Sequence, residues 1–262
     1  MNLALVLRQG KNMRMMFYLI VLLAGATCLA GDEVLVIADE FPAMEVLASR
    51  LRTTEGITTT IAKQEQLPQA LGKYRAVIVY VHGKLSRAVE HACVNYAREG
   101  GRLVVLHHSI SSGKRTNEVW FGFLGVRLPN GDVEEGGYKW IEPATYQIVA
   151  LERHFVTTNK VVWPERVAYV REKKTGGHEL LPGFTLHDSE VYLNHYLEGT
   201  KTVLLGFKYK SEQGKVWMQD RAGWYRSTGK GTVFYFQPGH SRTDFENEVC
   251  SRLVINAVIW KP

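Results

Sequence analysis

The sequence predicts an α/β fold: a doubly wound, mainly parallel sheet of flavodoxin-like type, with antiparallel hairpins added late in the chain. Three observations predict it. Short apolar or β-branched runs alternate with segments of helical spacing between residues 34 and 109, each run stops at polar residues, and two turn-centred hairpin patterns fill residues 203 to 236.

The first run, Val34-Leu35-Val36-Ile37-Ala38, is apolar at every position and ends at Asp39-Glu40, as expected of a central parallel strand buried on both faces. A helix follows, with Pro42 at its start, Met44, Leu47 and Leu51 on one face, and Gly56 to close it. Thr58 to Ala62 is β-branched and short, and reads as the second strand. Ala76 to Val81 makes a third, terminated by His82-Gly83. Ser86 caps the next helix, whose Val89, Cys93, Tyr96 and Ala97 share a face and which Gly100-Gly101 stops. Leu103 to Leu106 is the fourth strand and delivers His107-His108-Ser109 at its carboxyl end. From about Trp120 to Thr200 the periodicity weakens, and this stretch is expected to hold site-forming loops. Val203 to Tyr209 then pairs with Lys215 to Met218, and Trp224-Tyr225-Arg226 with Thr232 to Phe236. Asp244 is expected to cap a last helix carrying Val249, Leu253, Ala257 and Trp260.

The 262 residues, 45% of them hydrophobic, suffice for one substantial core, and no repeat or linker divides them. Residues 1 to 30 read as a secretory signal: Arg8, Lys11 and Arg14 precede an apolar stretch that ends in small residues, with cleavage expected after Ala30. The apolar stretch is about 16 residues, short of the roughly 18 to 20 that span a bilayer, so no stable membrane anchor is expected after cleavage. Export to the periplasm or the extracellular space follows as the expected localisation, with residues 31 to 262 as the mature domain. Losing those three basic residues lowers the formal charge from +6 to +3. The remaining bases are interspersed with acids, which argues against a nucleic-acid partner. Cys93 and Cys250, the cysteines of the mature chain, sit on apolar helix faces and are expected as buried free thiols. No motif sets an oligomeric state.

In open parallel sheets, ligands lie beyond the carboxyl ends of the strands, so residues that end separate strands become neighbours. This geometry selects Asp39, Glu40, His82, His107, His108 and Ser109, and the run Gln237-Pro238-Gly239-His240 adds His240. Imidazole can serve as base, hydrogen-bond donor or metal ligand near neutrality. A divalent metal on His82, His107, His108 and His240 is admitted by residue type, but no H-E-x-x-H or C-x-x-C spacing assigns one, and no cofactor is identified. Ser109 lacks the G-x-S-x-G elbow of a serine nucleophile, and no G-x-G-x-x-G supplies a dinucleotide site.

Gly229-Lys230-Gly231-Thr232-Val233-Phe234-Tyr235, then Gly239-His240, then Asn256-Ala257-Val258-Ile259-Trp260, resembles the C-terminal signature of the trehalose-utilisation (ThuA-like) family. Gly100 to His107 is similar to its G-G-G-x-V-x-L-H strand, and His154-Phe155-Val156-Thr157 to its H-P-I-T element with Phe155 at the Pro position. Phe184 to Tyr192 is similar to F-x-x-x-x-D-E-x-Y, with Ser189 at the usual Asp. The resemblance implies a fold of the class I glutamine-amidotransferase-like group and a link to carbohydrate use. It does not imply amidotransferase chemistry, which needs a thiolate where this chain has His107-His108-Ser109. Carried across by motif, His107, Glu190 and His240 are the expected catalytic groups and Tyr192 a substrate-binding residue, which the strand-end residues Asp39, His82 and His108 join as further substrate-binding candidates. The expected ligand is a small carbohydrate, acted on by acid/base chemistry with Tyr192, Trp140 or Trp224 stacked on the sugar ring. A non-catalytic carbohydrate-binding or accessory domain using the same cleft is the alternative.

Overall fold

The computed structural model describes residue 31, residues 33–172 and residues 176–261, so the expected signal segment lies outside the described residues. The strands are β1 (Glu33–Ala38), β2 (Thr58–Ala62), β3 (Ala76–Tyr80), β4 (Arg102–Leu106), β5 (Val126–Arg127), β6 (Lys139–Ala150), β7 (Glu165–Tyr169), β8 (Glu179–Leu193), β9 (Tyr196–Leu197), β10 (Thr202–Lys210), β11 (Val216–Thr228) and β12 (Gly231–Phe236). The helices are α1 (Pro42–Glu55), α2 (Arg87–Arg98), α3 (Trp120–Leu124), α4 (Phe155–Thr158), α5 (Arg242–Glu246) and α6 (Glu248–Ile259).

One large sheet has the order β2-β1-β3-β4-β12-β11-β10-β6-β8-β7. Its first five strands are mutually parallel, in the flavodoxin-like order. The other five join antiparallel, through pairings of β12 with β11, β11 with β10, β10 with β6, β6 with β8 and β8 with β7.

The uninterrupted apolar runs form the parallel half because both of its faces are covered. Val34, Val36, Ile78, Val104 and Phe234 point to the side packed by α1 and α6, where Met44, Leu47, Leu51, Leu253 and Val254 meet them. Leu35, Ile37, Val77, Val79, Val105 and Tyr235 point to the other, against Val89 and Cys93 of α2 and Trp120 of α3. Each such aliphatic side chain, fully removed from water, contributes roughly 1.5–3 kcal/mol. The ends of these helices follow from local chemistry. Ser86 accepts a hydrogen bond from the Val89 amide at the start of α2, and Gly56 ends α1 in the left-handed region at φ 69°. Cys93 and Cys250 are buried free thiols. No helix among the described residues is long and apolar enough to cross a membrane.

Two expectations are corrected. The stretch from Trp120 to Thr200 is not mainly loop, since it contains the 12-residue β6 and the 15-residue β8. Its alternation is hidden because the β6–β8 pairing shifts register between Ile141 and Ala144 and again between Ala144 and Tyr146. Asp244 does not cap the last helix. It lies inside α5, and Asn247 instead caps α6 by accepting from the Val249 and Cys250 amides. The two expected hairpins do form, and they share the single long strand β11.

Candidate functional site

Four segments of the parallel half end on one rim. Asp39 follows β1, His82 follows β3, His107 and His108 open the 3-10 turn after β4, and His240 lies four residues beyond β12. A fifth contribution comes from the antiparallel half. Past the register shifts, β6 and β8 carry Trp140 opposite Tyr192 and bring Glu142 and Glu190 to the same rim.

Glu190 is the centre of the array. Its Oε2 lies 2.7 Å from Nε2 of His107, 3.4 Å from Nδ1 of His240 and 3.9 Å from Nε2 of His108. One donor atom from each of these four residues falls within 4.8 Å of the others, and His107, His108 and Glu190 are buried. The Tyr192 ring stacks on His107 with centroids 4.5 Å apart. Burial raises the Glu190 carboxyl, but the His107 and His240 rings beside it outweigh that and bring it down to about 2. Glu190 is therefore an acceptor at neutral pH. Burial alone would lower His240, yet Glu190 on one side and Glu142, 3.0 Å from its Nε2, on the other raise it above the ordinary imidazole value. Burial and the neighbouring histidines push His108 far down, so it is a neutral imidazole.

His82 is beside this group rather than within it. Its ring packs on His108 at 3.7 Å between centroids. Its nitrogens face Asp39, 2.9 Å from Nδ1, and Glu40, 3.2 Å from Nε2. The metal set admitted by residue type thus changes by one member, with Glu190 standing where His82 was expected.

The loops that carry these rings are fixed by groups absent from the sequence-based candidates. Lys114 is fully buried, and its ammonium donates to the carbonyls of Val81 (2.6 Å), His82 (3.1 Å) and His108 (2.9 Å). Burial brings its pKa down to about 7, against the pull of Asp39. Asp244, misassigned as a cap, accepts through Oδ2 from Ser189 Oγ (2.7 Å), from the Gly239 amide (3.2 Å) and from the His240 amide (2.8 Å). It ties the turn bearing His240 to the strand bearing Glu190. Gly239 is required there, because its φ is 110° and a Cβ would come 2.7 Å from the Phe245 ring. The Tyr80 hydroxyl donates to the His240 carbonyl from below.

The resulting cleft of about 320 Å³ is lined by His82, His108, Trp140, Glu190, Tyr192 and His240 among others. An adjoining depression of about 450 Å³ shares Trp140 and Glu142 with it. Trp140 is 50% exposed and free to meet a ligand, whereas Trp224 is fully buried, which corrects its proposed stacking role. Ser109 is buried and donates to the Val79 carbonyl, away from any nucleophilic role. His154 caps α4 by accepting from the Val156 amide, and its ring lies against Tyr225 and Trp260. Hence Asp39, His82, His107, His108, Glu190, Tyr192 and His240 gather at one rim, while Ser109 and Trp224 are turned into the core. Glu142, Lys114 and Asp244 are the members that sequence reasoning missed, and no spacing rule marks a lysine or an aspartate for burial.

The chain matches the family model described as ThuA, trehalose utilisation, over residues 35–261. No curated protein matches it. Among solved structures, a ThuA-like protein from Bacteroides uniformis is similar at 17% identity and a TM-score of 0.55, covering 87% of this chain and 91% of its own. A cytoplasmic protein from Salmonella typhimurium LT2 is similar at 15% identity and a TM-score of 0.53, covering 86% and 98%. A β-galactosidase from Rahnella sp. R3 shares the fold over 84% of this chain but only 30% of its own, at 12% identity and a TM-score of 0.51.

Proposed function

Because this chain belongs to the ThuA, or trehalose-utilisation, family, we propose that it is an exported enzyme of carbohydrate utilisation that moves protons on a sugar or an oxidised sugar. The observation that carries this reading is the Glu190 carboxylate with His107, His108 and His240 around it at the floor of a cleft walled by Trp140. A cleft of about 320 Å³ suits one small ligand. The half-exposed Trp140 ring offers a flat apolar face for the C–H edge of a pyranose, and the carboxylates and imidazoles supply hydroxyl recognition.

The division of labour follows from charge. Glu190, ionised, accepts a proton or a hydroxyl hydrogen bond, while His240, held between Glu190 and Glu142 near the mouth, is the proton donor. Asp39 fixes His82, which lines the cleft, and Tyr192 stacks on the buried His107, which in turn holds Glu190 toward the cleft. Proton transfer of this kind serves hydrolysis, elimination or isomerisation. Export rests on the basic and apolar character of residues 1 to 30.

Screening the purified mature chain against sugars and oxidised sugars, with product detection beside ligand-induced stabilisation, tests the reading. We expect product from at least one sugar class, and loss of turnover with retained binding in Glu190→Gln. Sugar-induced stabilisation with no product in any condition would establish the binding-domain alternative instead.

A further inference from the structure

The hydrogen-bond arithmetic around His107 does not close with protein groups alone. Its Nδ1 faces the carbonyl oxygen of Gln237, which can only accept, so Nδ1 carries the ring proton. In the neutral ring Nε2 then has a lone pair, and that lone pair points at Glu190 Oε2 only 2.7 Å away. An ionised carboxylate also only accepts. His240 stands between two acceptors, with its Nε2 3.0 Å from Glu142 and its Nδ1 3.4 Å from the same Glu190 oxygen, so only a cationic ring would donate to both. His108 turns Nε2 toward that oxygen as well, at 3.9 Å. Closing the array with protons alone calls for cationic rings packed together, with centroids 4.6 Å apart for His107 and His108 and 5.1 Å apart for His107 and His240.

We propose that Nε2 of His107, Nε2 of His108, Nδ1 of His240 and Oε2 of Glu190 form a binding site for one divalent transition-metal ion, with zinc the best match. One cation turns all four facing lone pairs into favourable contacts. A tetrahedron with bonds of about 2.1 Å has edges of about 3.4 Å, and the three distances to Glu190 Oε2, 2.7, 3.4 and 3.9 Å, scatter around that value. Three imidazoles and a single carboxylate suit a borderline first-row ion, and discriminate against calcium and magnesium, which prefer all-oxygen sites.

The outer contacts follow the same logic. A metal-bound histidine characteristically donates its second ring N–H to a carbonyl or carboxylate. His107 has the Gln237 carbonyl for this and His240 has Glu142. His108 is held from behind instead, by the Lys114 ammonium on its carbonyl and by the His82 ring on its face. In the loaded protein the titratable groups at the cleft that are not ligands are Glu142, which accepts from His240, and the His82–Asp39 pair. The inference concerns the same cleft as the proposed sugar chemistry but does not require the ligand to be a sugar.

The test uses the mature chain, stripped with chelator and dialysed, without sugar. Titration with Zn²⁺ by calorimetry, and with Co²⁺ by visible absorption, should give one equivalent bound and the intense d–d bands of a low-symmetry cobalt site. His240→Ala, altering a ring close to the cleft mouth, and Glu190→Gln should each weaken Zn²⁺ by about 100-fold or more, beyond the roughly 10–100-fold typical of losing an outer-shell partner. His82→Ala, which removes a ring packed on His108 but no ligand atom, should weaken Zn²⁺ by less, about 10-fold. Far-ultraviolet dichroism confirms that each variant is folded. Failure of the parent chain to bind stoichiometric Zn²⁺ or Co²⁺, or equal affinity in parent and His240→Ala, overturns the site. An effect of His82→Ala as large as that of His240→Ala overturns the ligand set. Sugar turnover that persists in chelator would leave the proton-transfer reading standing while the metal fails.

Discussion

Nε2 of His107 lies 2.7 Å from Oε2 of Glu190, although 83 residues separate them in the chain. The first residue directly follows a parallel strand, and the second comes from an antiparallel strand added to the far side of the sheet. The contact exists because β6 and β8 change register and reach the rim where β4 ends. Glu190→Gln keeps the shape and removes the charge. Steady-state assays on the responding sugar should show turnover down by about 100-fold or more, with binding changed far less.

Trp140 is the exposed aromatic wall. Trp140→Ala should leave stability within about 0.5 kcal/mol, since half of the side chain is already in water. Sugar affinity should fall about tenfold, equivalent to roughly 1.4 kcal/mol. Paired melting and equilibrium binding curves read both, and unchanged affinity would remove Trp140 from the ligand surface.

Lys114 is the internal brace of the rim. Lys114→Met leaves the carbonyls of Val81, His82 and His108 without their shared donor. Urea unfolding should register a loss of about 2 kcal/mol. Turnover should drop by more than in a core variant of equal instability, because His82 and His108 lose their anchor.

Asp244 couples two elements through three hydrogen bonds to one oxygen. Asp244→Ala should cost about 3 kcal/mol, and Ser189→Ala, which removes one of those donors, about 1 kcal/mol. Both are read by denaturant midpoints, and equal costs would contradict the shared-acceptor arrangement.

His195 sets a pH dependence of stability. It is fully buried, donating Nε2–H to the Arg221 carbonyl, and burial followed by the nearby Arg221 charge lowers it to about 3. Below pH 6.5 the unfolded chain takes up a proton that the folded chain refuses, so its contribution is complete above that pH and is lost as pH falls toward 3. At pH 5 the loss is about 2 kcal/mol. Unfolding curves in chelator at pH 7 and pH 5 should show it in the parent and not in His195→Gln, whose amide keeps a donor for Arg221.

The parallel half was legible in detail. Val34 to Ala38 and Ala76 to Val81 have no polar position to expose, so only a strand covered on both faces accommodates them, and the polar residue after each run marks the carboxyl end. That rule alone located Asp39, His82, His107 and His108 on one rim. Glu190 and Tyr192 were reached by resemblance instead, because nothing in the spacing of β8 distinguishes a carboxylate turned into the histidine cluster from an edge charge. The hidden pattern in β6 and β8 has the same origin: with two register shifts, the apolar alternation restarts twice within a dozen residues.

By itself, the sequence determined the winding of the parallel sheet, the ends of α1 and α2, and the rim of the sheet where the histidines gather, since periodicity, caps and breakers are local properties of neighbouring residues. Only the tertiary structure decided that Glu190 faces three imidazoles, that Glu142 joins them, that Trp140 rather than Trp224 is open to a ligand, and that Lys114 and Asp244 hold the rim from within. Those relationships depend on distances between segments up to a hundred or more residues apart and on which polar groups are cut off from water, and both quantities are set by packing.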